Sequence, residues 1–121
     1  MKHNFFIYGV RVDSSLANGS QVTKTINIAN DSDFECVEIR TTGTDKVFIT
    51  LKDSSGNNYN GISFNASLIA KGNDSLKLFD NKLNLPANTS FDVIILNSSG
   101  GSISANEFEV QLIGKKVQRR V

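Results

Sequence analysis

Along the whole chain, apolar residues alternate with polar ones at a spacing of two, in short runs separated by clusters of Asn, Ser, Gly and Asp. That spacing marks a β-strand with one buried face, because a helix repeats near 3.6. The clearest run is Glu107-Phe108-Glu109-Val110-Gln111-Leu112, which places Phe108, Val110 and Leu112 on a single face. The chain holds 14 Asn and 14 Ser. They gather with Gly in stretches such as Ser54-Ser55-Gly56-Asn57-Asn58 and Asn97-Ser98-Ser99-Gly100-Gly101, where such residues close turns. About eight strands are predicted, over 4–12, 21–29, 34–42, 46–53, 61–69, 75–80, 90–97 and 106–114. Within the fifth, Ala66, Leu68 and Ala70 also fit a short helical turn. Pro86 falls in the loop before the seventh, where its missing N–H is harmless.

Strands of this number and spacing in 121 residues predict an all-β fold, an antiparallel β-sandwich forming one domain over 1–121. A single jelly-roll-like topology is the first expectation and an immunoglobulin-like one the second. In a jelly roll the first and last strands pair, which would lay Phe6, Tyr8, Val10 and Val12 beside Phe108, Val110 and Leu112. A chain of this length buries about two thirds of its surface on folding, so no structural metal or disulfide is required.

One His and one Cys exclude the usual zinc clusters and leave no triad without His3. His3 lies at a fraying end, and Cys36 reads as a small buried hydrophobe. Asp31, Asp33 and Glu35 offer oxygen ligands for Ca²⁺, but turn-forming Asp residues that cap their own backbone explain the same pattern. Glu107 and Glu109 point the same way, as a glycosidase pair or a solvated strand face does. No phosphate-binding glycine loop is present; no catalytic residue, metal or cofactor is predicted, and the chain reads as a non-enzyme. Six Asn-x-Ser/Thr sequons, at Asn18, Asn30, Asn65, Asn73, Asn88 and Asn97, read as by-products of Asn/Ser-rich turns. The apolar run at Phe5 to Tyr8 breaks at Gly9 and Arg11, too short for a secretory signal, so synthesis in the cytoplasm is expected.

The chain carries 13 basic and 12 acidic residues. Lys115, Lys116, Arg119 and Arg120 sit together at its end, so 115–121 is predicted as a basic C-terminal tail. Without an interleaved aromatic ladder, that tail reads as solvated, or as guarding an edge strand, and no nucleic-acid partner is expected.

Several strands are apolar on both faces. Val47, Ile49 and Leu51 form a core side, yet Phe48 stands among Lys46, Thr50 and Lys52; Phe5, Ile7, Ile94 and Leu96 also fall on second faces. Cover by loops or face-swapping bulges is one explanation. A subunit interface is the other, with Phe5, Ile7, Phe48, Ile94 and Leu96 as its residues.

The turn Asp31 to Phe34, the hairpin Leu51-Lys52-Asp53-Ser54-Ser55-Gly56 and the closing strand Val110-Gln111-Leu112-Ile113-Gly114-Lys115 resemble small structural proteins encoded near bacteriophage capsid genes. The resemblance covers roughly 20–118; Cys36 and Val37 depart from it where an aromatic is usual. It implies a non-enzymatic virion component, a decoration, cement or vertex (penton) protein. The implied partners are the major capsid protein and copies of itself, as a trimer or pentamer matching lattice symmetry. The alternative is a carbohydrate-binding module, with Tyr59 in the Gly56 to Asn60 loop as its stacking platform.

Overall fold

The computed structural model describes residues 4–42, 44–53, 64–66, 76–77 and 83–118. Nine strand segments lie within them: β1 (Asn4–Arg11), β2 (Gln21–Asn27), β3 (Ser32–Thr41), β4 (Val47–Asp53), β5 (Phe64–Asn65), β6 (Leu76–Lys77), β7 (Leu83–Leu85), β8 (Ser90–Asn97) and β9 (Glu109–Gln118). All pairings are antiparallel. One sheet runs β1-β9-β3, with β6 and β7 both on the far side of β3; the other runs β2-β8-β4-β5.

The alternation read from the sequence is what holds the layers together. Val47, Ile49 and Leu51 of β4 and Val93 and Ile95 of β8 face inward, against Phe34, Cys36, Val110 and Leu112 of the first sheet. Each fully buried Val, Ile or Phe contributes about 1.5–3 kcal/mol. The first and last strands pair with Tyr8 opposite Leu112 and Val10 opposite Val110. Phe6 and Tyr8 pack on the core's edge, where the Tyr8 ring meets Phe34 edge-on at 4.8 Å and its hydroxyl accepts the Ala29 N–H at 3.1 Å.

Turn chemistry closes one end of the sandwich. Asn97 is buried, and its side-chain amide donates to the carbonyls of Leu16 (2.9 Å) and Gly101 (2.8 Å) while its Oδ1 accepts from Ser99. The Leu16–Ile103 bridge ties the 12–20 loop to the same end. Asn97 therefore serves the fold, with its side chain shut inside.

The end of β9 and one added segment depart most from the expected strands. β9 continues through Gln118, so Lys115 and Lys116 are strand residues, opposite Phe5 and Asn4 on one side and Glu35 and Phe34 on the other. The predicted tail begins too early because Gly114-Lys115-Lys116 reads as a break, whereas flanking strands on both sides extend the ladder through it. Arg119 and Arg120 lie outside the described residues. The additional segment is β7, three residues pairing Phe34 to Cys36 immediately before Pro86. Of the open 64–69 stretch, Phe64 and Asn65 pair with β4; the remainder beyond Ala66 lies outside the described residues.

Candidate functional site

β1 and β2 are the first strands in their two sheet orders, each with one neighbour among the described residues, and they lie against one another along one side of the sandwich. On β1, pleating turns Val10 inward and its neighbours outward. Phe5 and Ile7 emerge on the outer face, 70% and 41% exposed. Ile113, opposite Ile7 on β9, extends the apolar patch inward from the edge and is itself covered. Lys116 crosses to the inner side and lies 4.1 Å from the centre of the Phe6 ring.

Where β1 and β2 meet, an open groove of about 620 Å³ is lined by residues including Gly9, Arg11, Lys24 and Glu109. Its charges are paired. The Arg11 guanidinium meets the Glu109 carboxylate at 2.9 Å, and the Lys24 ammonium meets Asp13 at 2.9 Å. The hydrogen bond from Arg11, aided by one from Gln111, holds the Glu109 carboxyl below its ordinary range; the bond from Lys24 does the same for Asp13. Lys24 sits at an inward-facing position of β2, between Val22 and Ile26 and opposite the buried Val93. That interruption of an apolar face was the signal for this groove, which the sequence analysis did not use.

The five predicted interface residues do not form one patch. Phe5 and Ile7 lie on the outer face of the first sheet, whereas Phe48, Ile94 and Leu96 lie on the outer face of the second, with the core between. Phe48 and Leu96 are register partners, and all three residues of this group are half-buried. The predicted interface residues thus fall on two surfaces of the sandwich, because the strands carrying them belong to opposite layers.

The candidates for chemistry are placed as follows. Asp33 accepts the Ala87 N–H at 2.8 Å, and Asp31 is exposed at the turn preceding β3. No group of three metal-ligating side chains occurs among the described residues. Glu109 is engaged by Arg11, while Glu107 is exposed ahead of the strand. Cys36 is fully buried, and desolvation pushes its thiol up to about 11. His3 and Tyr59 lie outside the described residues.

No protein-family model matches the chain, and no curated protein matches it. Among solved structures, a periplasmic inhibitor of g-type lysozyme, PliG of Salmonella Typhimurium, is similar over 96% of this chain and 91% of its own, at 12% identity and a TM-score of 0.41. The expectation of a bacteriophage virion component, with the major capsid protein and copies of itself as partners, is withdrawn, since this comparison gives it no support: the similar structure is a bacterial periplasmic protein. The carbohydrate-binding alternative gains no support from it either. At that TM-score the likeness carries no argument about what this chain binds.

Proposed function

We propose that this protein is a non-catalytic, single-domain β-sandwich that binds another protein through the β1 side of its first sheet. The observation carrying this reading is the pair of large apolar side chains, Phe5 and Ile7, exposed on the same face of a strand at the end of its sheet. Leaving such a pair wet forgoes several kcal/mol of burial, which a partner surface recovers. A non-catalytic role is supported by how the reactive groups are used. Asp33 caps a backbone amide, Glu109 neutralises Arg11, and the Cys36 thiol is buried and hard to ionise. Within this reading the topology is a single jelly roll. The orders β1-β9-β3 followed by β6 and β7, and β2-β8-β4-β5, support it, since they alternate strands between layers as two nested Greek keys do.

A photo-crosslinking residue tests the surface directly. Placed at position 5, it is expected to give a discrete adduct with another protein in the producing cell, and Ile7→Ser is expected to abolish that adduct. The same residue at position 48 is expected to give none. Equal adducts from both positions, or insensitivity to Ile7→Ser, would contradict the reading.

A further inference from the structure

We infer that the β1 edge accepts an extended strand of a partner protein, uncharged along the stretch that pairs, with an apolar side chain seated beside Gly9. This deepens the proposed function and rests on it. The inference begins with the backbone. Val12 donates its N–H to the Phe108 carbonyl at 2.9 Å, in line with the register that sets Val10 opposite Val110. Along a strand, successive residues address their N–H and C=O to opposite edges. Phe6, Tyr8 and Val10 therefore face β9, and Phe5, Ile7, Gly9 and Arg11 face the edge that is free among the described residues. Glu109 agrees, because its carbonyl accepts the Thr42 N–H at 3.1 Å and so addresses β3 although Arg11 is its register partner on β1. The residues whose side chains lie on the outer face thus also present the free backbone edge.

The two neighbouring edges are built differently. β2 carries the inward-pointing Lys24, a charge that discourages a further strand. From Phe5 to Val10, β1 carries no charge and no proline, which leaves it open to strand addition. Gly9 leaves a gap on the outer face between Ile7 and Arg11, and a Cβ built there would meet nothing nearer than the Val110 carbonyl oxygen at 3.6 Å. The charges beside that gap, Arg11 with Glu109 and Lys24 with Asp13, already neutralise one another, so a charged segment would gain no partner here.

The probe is a capped peptide, Thr-Val-Thr-Phe-Thr-Val-Thr, titrated against the full-length protein. On binding, the amides of Ile7, Gly9 and Arg11 are expected to slow in hydrogen exchange. Joining residues 1–35 to 36–121 at the Cys36 thiol allows Gly9 to be N-methylated, which removes one edge donor and leaves the bonds to β9 intact. That change is expected to weaken binding about fivefold or more; Gly9→Val, which fills the gap, is expected to weaken it as well. Binding that shifts Phe5 and Ile7 side-chain signals without protecting those amides, or that ignores N-methylation, overturns strand addition while leaving the proposed surface standing. Absence of binding at millimolar peptide overturns the inference. Protection of the same amides in a peptide-free dimer overturns it too, since a second copy would then own the edge.

Discussion

Gly114 faces Cys36 across the β9–β3 ladder, and a Cβ there would overlap the Glu35 carbonyl oxygen, with the carbonyl carbon only 2.8 Å away. The neighbouring β3 backbone is bulged, with a register shift between Cys36 and Glu38, so the two chains approach more closely than a side chain allows. Gly114→Ala is expected to cost about 3 kcal/mol or more, read as a lower urea midpoint with the slope unchanged. Cys36, beside it, makes a pH prediction. Its folded pKa is raised from 9.0 to about 11, so the folded state holds the proton more tightly than the unfolded chain. The resulting stability is fully present below pH 9 and falls as pH rises towards 11, by roughly 2–3 kcal/mol in all. Unfolding midpoints measured from pH 8 to 11 should show that decline in the wild type, and Cys36→Ala should flatten it. Equal slopes would contradict the assignment.

Among the elements, β1 divides its side chains between two tasks. Val10 belongs to the core, whereas Phe5 and Ile7 are exposed. Phe5→Ser with Ile7→Ser is expected to change stability by no more than about 0.5 kcal/mol, and Val10→Ala to cost about 1–3 kcal/mol; thermal unfolding distinguishes them. The inward sets of β4, β8 and β9 were legible because period-two alternation maps onto sheet faces without knowledge of the neighbours. Pairing of β1 with β9 followed from the jelly-roll expectation, in which the first and last strands are neighbours. The end of β9 was not legible, since only the flanking β1 and β3 carry the strand past Gly114. Nor could alternation say which outer face a second apolar set occupies. Phe5 and Phe48 carry the same local pattern, and only the sheet orders assign them to opposite layers. The groove escaped notice because Arg11 with Glu109, and Asp13 with Lys24, are brought together by strand pairing and sheet stacking, which spacing alone does not express.

Among the described residues, two layers closed around one core leave the β1 side with exposed apolar side chains and an open backbone edge, and they place the second apolar set on the opposite surface. The proposed function accordingly falls on one side of the sandwich. The most direct measurement is a calorimetric titration of the protein captured through position 5 against three forms of this chain: wild type, Phe5→Ser/Ile7→Ser, and Phe48→Ser/Leu96→Ser. The β1-side pair is expected to lower affinity at least about a hundredfold, since two buried large side chains are worth roughly 3–6 kcal/mol. The opposite-face pair is expected to bind as the wild type does. Binding lost with Phe48 and Leu96, and kept without Phe5 and Ile7, would contradict the account.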